Sequence, residues 1–225
     1  MNKFFQQSSN RSLFVLTLAI ALFDLWLIIT QAPMVKDQEW AQRIFYYHVP
    51  LAWCAFIAFF CVMIYSILYL KTNNVKWDAR ALAMSEVGII FTLLILVTGP
   101  LWATPIWGKP WTWEPRLTTT LLLFLIYIGY FMVREFGGVY ERASRFAAVI
   151  GILAFIDVPI IYYAVDFWSP EVQSHPQRDM GNQIPEILQI FFFSLFTFSM
   201  ILYCMYRFRV HVAMTEAGVM EDNYV

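Results

Sequence analysis

Charge is scarce in this chain. Of its 225 residues only 14% are Asp, Glu, Lys or Arg and 60% are apolar, where a water-soluble domain carries about 25% and roughly 45–50%. That balance excludes an ordinary soluble enzyme. Cysteine is as sparse: Cys54, Cys61 and Cys204 all fall inside apolar runs and form neither a disulfide framework nor a C-x-x-C pair. Without C-x-x-C-H the chain is not itself a c-type cytochrome. No basic cluster accompanies the net charge of -1, so nothing points to nucleic acid. A G-x-x-x-x-G-K-[ST] nucleotide loop, an internal repeat and a Gly/Ser linker are also missing.

What is present is apolar length. A bilayer core of about 30 Å takes about 20 apolar residues per helix, and six such stretches occur, at about 13–29, 50–70, 85–101, 117–133, 144–165 and 185–206. They predict an all-α integral membrane protein, one six-helix domain over residues 1–225. The first stretch is longer than a signal-peptide core and carries Asp24, so it reads as a retained helix. Ten Lys and Arg flank the spans on the side of the two termini and of the second and fourth loops, against five on the other. The positive-inside rule then predicts cytoplasmic termini and external first, third and fifth loops. Pro50, Pro115 and Pro185 stand near the start of the three helices that enter from outside. They either simply mark helix starts or leave three partly positive N-termini facing outward, where carboxylates bind well.

The external third loop, 99–116, is the most unusual segment. Four of the nine tryptophans, Trp102, Trp107, Trp111 and Trp113, fall within residues 102–113, among Gly99, Gly108 and four prolines. Aromatic belts at the membrane interfaces account for Trp26, Trp40, Trp53, Trp77 and Trp168. A belt scatters over many helix ends, however, whereas this cluster is one compact loop. Rigid indoles on such a loop predict a stacking platform for a large planar apolar ligand.

The run Trp107-Gly108-Lys109-Pro110-Trp111-Thr112-Trp113-Glu114-Pro115-Arg116-Leu117-Thr118 resembles the W-G-x-x-W-x-W-D signature of the tryptophan-rich haem-handling proteins of cytochrome c assembly. With its six spans the whole chain is similar to their shortest branch, the haem exporter C (CcmC) family. Glu114 replaces the family's aspartate, keeping the charge and extending its reach by one methylene. The resemblance implies non-covalent haem b at the periplasmic side of a bacterial inner membrane, and handoff to a CcmE-like haem chaperone. It further implies the ABC transporter subunits CcmA and CcmB and the small membrane protein CcmD as partners, with no enzymatic activity expected of this chain. The implied cofactor-binding residues are Trp107, Gly108, Trp111, Trp113, Glu114 and Arg116, with Arg116 and nearby helix N-termini meeting the propionates.

Haem iron takes axial ligands such as histidine, and the chain has His48, His175 and His211. The topology puts His48 and His175 outside and His211 a membrane thickness away, in the cytoplasmic tail. His175 lies about nine residues from either end of its loop, and nine extended residues span up to roughly 30 Å. Reach permits a His48/His175 pair, and the resemblance assigns these two as the iron ligands. A dihaem cytochrome b anchor would need histidines at two depths, and only two of these three share a side. A transporter moving haem or another planar apolar substrate is the other alternative; it is favoured by broken helices or repeats. Asp24 and Asp157 fall inside apolar runs without a basic residue at their depth. They are expected to be protonated, or hydrogen-bonded to Thr, Tyr or backbone groups between helices; Glu86, near the cytoplasmic rim, reads as solvated.

Overall fold

The computed structural model describes residues 7–36, 38–167 and 183–219. These form seven α-helices and one short 3-10 helix, with no strand among them: α1 (Ser8–Thr30), η1 (Glu39–Ile44), α2 (Phe45–Thr72), α3 (Val75–Trp107), α4 (Pro115–Phe136), α5 (Tyr140–Ala154), α6 (Asp157–Phe167) and α7 (Pro185–Glu216). Lipid offers no hydrogen bonds, so a chain this apolar must satisfy its backbone within each helix. Counting α5 and α6 as one span, six helical segments are long and apolar enough to cross a membrane. Each expected span falls within one of them.

The boundaries differ in three informative ways. First, α3 does not stop at residue 101 but continues to Trp107 through Pro100 and Pro105, so the third loop shrinks from 99–116 to 108–114. Proline is tolerated in membrane helices; beside these two, Thr98 and Thr104 donate hydroxyl bonds to the Leu94 and Pro100 carbonyls of their own helix at 2.8 and 2.7 Å. Second, Pro115 and Pro185 do open α4 and α7, but Pro50 lies inside α2. The 3-10 turn η1 runs straight into Phe45 and supplies the first turn, so α2 has no free N-terminus at Pro50. Third, α5 and α6 part at Phe155 and Ile156. Pro159 explains the break, because its ring crowds the carbonyl four residues back, that of Phe155.

α2 and α3 form the central antiparallel pair. A Cβ built on Gly88 of α3 would stand 2.6 Å from the Phe59 ring of α2, and one on Gly99 would stand 3.4 Å from His48 Cε1. Both contacts share one register: 59 lies eleven residues after 48, as 99 does after 88. Eleven residues are close to three turns of 3.6, about 16 Å, so each helix presents one face to the other and a ring of α2 meets a glycine of α3 at both levels. Phe59 is fully buried and stacks on Tyr127 of α4 at 4.1 Å, which leaves it no room to swing.

At the end of the bundle away from residues 108–114, Asp78 is buried and accepts two bonds from Arg134 at 2.7 and 2.8 Å, one from Tyr140 at 2.7 Å and one from Ser144 at 3.1 Å. It ties α3, α4 and α5 together. Glu86, expected to be solvated, instead pairs with Arg209 of α7 at 2.6 Å. Arg207 donates to Asn10 at 2.9 Å, bringing the ends of α1 and α7 to the same end of the bundle. His211 belongs to α7, which continues to Glu216 where a tail was expected. Asp24 accepts a bond from Ser194 at 2.9 Å, joining α1 to α7 as interhelical packing. Asp157 Oδ2 is buried with no partner among the described residues.

Two stability outcomes follow. Gly88→Ala forces Phe59 against Tyr127 and should cost about 1–3 kcal/mol; the melting temperature in detergent should fall, and Phe59→Leu in the same chain should recover part of it. Asp78→Ala strands a buried guanidinium and should cost about 3–5 kcal/mol, a larger drop in the same assay than Asp78→Asn, which keeps an acceptor for Arg134.

Candidate functional site

The site is built where α3 ends. Gly108 takes the left-handed conformation, φ 72°, and its N–H donates to the Thr104 carbonyl at 2.9 Å. A glycine is suited to this position because a Cβ there is strained, which gives the glycine of the tryptophan run a structural reason. The chain then crosses residues 109–113 and re-enters a helix at Glu114 and Pro115. Thr118 pins this crossing to α4: its hydroxyl donates to the Trp113 carbonyl and its N–H to that of Glu114, both at 3.0 Å.

At the crossing lies a narrow, partly open cleft with a cavity of about 30 Å³. It is lined by Gly99, Trp102, Ala103 and Trp107 of α3, Lys109 to Thr112 of the crossing, Glu114, Leu117 of α4 and His48 of α2. His48 and Glu114 are only 8% and 5% exposed. His48 Nδ1 lies 2.8 Å from Thr98 Oγ1, and the edge of Trp102 meets the imidazole with ring centroids 5.9 Å apart. Arg116 is within electrostatic range of His48. Trp102 Nε1, Trp111 Nε1 and Thr112 Oγ1 are buried without a hydrogen-bond partner among the described residues.

Of the residues singled out in the sequence, Trp107, Trp111, Glu114 and His48 line the cleft together. Gly108 shapes the turn. Trp113 does not line the cleft and is 70% exposed; its backbone is also left-handed, φ 52°, a strained state for a bulky residue. The Trp111 and Trp113 rings meet edge to face, at 82° and 5.6 Å, rather than forming one flat platform. His175 lies outside the described residues. Thr98, Gly99 and Trp102 were not singled out as site residues, yet they surround the imidazole. Thr98 and Trp102 are four apart and so share a helix face, a signal visible only once α3 is continued past Pro100.

The donor set is distinctive: an imidazole in an indole-lined cleft, orphan N–H and O–H donors beside it, and Lys109 in the lining; Arg116 is not part of the lining and acts on His48 through its charge. The set suits a flat apolar ligand carrying carboxylates and a metal that accepts imidazole.

Comparison with known proteins agrees with this chemistry. A family model described as CcmC, heme exporter protein C, matches residues 2–224. A cytochrome c biosynthesis ccmC-like mitochondrial protein of Marchantia polymorpha is 34% identical over 172 residues, 76% of this chain and 73% of that protein. The heme exporter protein C of Bradyrhizobium diazoefficiens is 36% identical over 168 residues, 75% and 62% respectively. That of Escherichia coli K12 is 30% identical over 138 residues, 61% and 56%. The matched segments span less than two thirds of these two bacterial relatives.

The two left-handed residues of the crossing should respond to substitution with opposite signs. A left-handed residue with a Cβ costs about 1–2 kcal/mol, so Gly108→Ala should lower the melting temperature in detergent. Trp113→Gly removes that strain and little buried surface, and should leave the melting temperature unchanged or higher.

Proposed function

This chain belongs to the heme exporter protein C family, and from that premise we propose that it binds haem in the cleft between His48 and the tryptophan crossing. It presents that haem to a CcmE-like chaperone during c-type cytochrome assembly. One observation carries the reading: a buried imidazole in an indole-lined cleft that also holds unpartnered donors. His48 and His175 would hold the iron. His175 is assigned by family resemblance and by the reach of its loop. Trp107 and Trp111 supply apolar wall, and with those two rings comes Trp113 at the rim. Because Trp111 and Trp113 are nearly perpendicular, at most one of the two could stack on a flat ligand. Arg116 and Lys109 would meet the propionates by charge-assisted bonds, and Glu114 lines the cleft.

Binding is non-covalent on this reading. A thioether link would need a cysteine at the cleft, and Cys54, Cys61 and Cys204 lie on the membrane-spanning parts of α2 and α7. The excess of Lys and Arg at the opposite end supports a periplasmic cleft and cytoplasmic chain ends in a bacterial inner membrane. Energy and acceptor would come from partners of the CcmA, CcmB and CcmD kind and from the chaperone; the chain itself binds and hands over rather than catalyses.

The absorption spectrum of the purified, haem-loaded protein tests the ligands. His48→Ala and His175→Ala should each abolish or shift the Soret band. Spectra unchanged in both variants would remove the ligand assignment.

A further inference from the structure

We propose that Thr98 is a positioning residue that holds His48 in the Nδ1–H tautomer and so makes Nε2 its metal-binding nitrogen. The proposal rests on the haem-binding reading above and deepens it. Thr98 Oγ1 has two close neighbours, the Leu94 carbonyl at 2.8 Å and His48 Nδ1 at 2.8 Å. A carbonyl oxygen can only accept, and a hydroxyl has one proton. Both short contacts are hydrogen bonds in only one arrangement: Thr98 donates to Leu94, and Nδ1–H donates to the lone pair of Thr98. The neutral ring then carries its basic lone pair on Nε2.

Three further features hold the ring in that orientation. Gly99, next in sequence, packs beside the imidazole, where an added Cβ would stand 3.4 Å from Cε1. Trp102, one turn on, braces the ring by edge-to-face contact. The Thr98 hydroxyl is anchored within its own helix and does not follow the imidazole if that ring moves. A hydrogen bond from the distal N–H of a metal-bound histidine fixes tautomer and orientation and raises ligand basicity. A backbone carbonyl or carboxylate commonly serves as acceptor; here a threonine hydroxyl, polarised by its own bond to Leu94, takes that place. Valine has nearly the shape of threonine and lacks the acceptor, whereas serine keeps it.

The experiment uses the full chain in detergent micelles. In haem-free protein labelled with ¹⁵N-histidine at pH 8, with the His48 signals identified by their loss in His48→Ala, the shifts should report protonated Nδ1 and unprotonated Nε2. Protonated Nε2 would overturn the proposal without any variant having to fold and whether or not haem binds. In haem-loaded protein, Thr98→Val should weaken haem retention by about 10- to 100-fold and move the midpoint potential to more positive values, because a less basic imidazole stabilises ferric iron less. Thr98→Ser should restore both. Wild-type affinity and potential in Thr98→Val would overturn the proposal while leaving haem binding by His48 intact. If His48→Ala also leaves the spectrum unchanged, the haem-ligand reading falls, and this proposal with it.

Discussion

The close approach of α2 and α3 is the constraint on which the rest of the structure depends. It is set at Gly88, where the absence of a side chain lets the Phe59 ring lie on the α3 backbone. Once that contact is made, the helical period does the rest. Eleven residues on, the same faces meet again, with His48 in the place of Phe59 and Gly99 in the place of Gly88. The imidazole is therefore placed by a packing contact three turns deeper in the bundle, and the cleft inherits this part of its lining from the core. In lipid, where no hydrophobic force drives helices together, such small-residue contacts are a main source of helix association.

Polar groups divide the labour between the two ends of the bundle. At one end Asp78 gathers donors from α4 and α5, Glu86 holds Arg209, and Asn10 holds Arg207. These charges are matched and their hydrogen bonds made. At the other end, indole and hydroxyl donors are buried without acceptors and a tryptophan stands in a strained backbone state. A folded protein normally satisfies its buried polar atoms, so a cluster of exceptions at one end is the mark of a surface shaped for something other than its own stability. The Arg43 side chain shows the contrast within that end: it donates to the Ile28 carbonyl at 3.0 Å and covers the Trp40 ring at 3.8 Å, closing α1 in a fully structural role.

Much of this was legible in the sequence. Six spans follow from apolar length alone, and the tryptophan run with His48 marks the cleft. The misreadings share one physical origin. Proline ends helices in water, so Pro50, Pro100 and Pro105 read as boundaries; in the structure all three lie inside membrane helices, where proline is tolerated. Extending α3 to Trp107 turns half of an expected loop into helical lining of the cleft and brings Thr98 and Trp102 onto the face that meets His48. Pro159, by contrast, does break its helix, beside the buried Asp157. Which of these prolines interrupts and which does not depends on tertiary neighbours that a linear pattern does not contain.

The ring-on-glycine register also sets a mechanical tolerance. The Gly88 contact acts as a pivot and the Gly99 level lies about 16 Å along the same helix. A relative tilt of about 5° between α2 and α3 displaces the upper contact by roughly 1.4 Å over that arm, enough to break a 2.8 Å hydrogen bond between Thr98 and His48. Leverage of this kind makes the position of the imidazole sensitive to how the two helices stand.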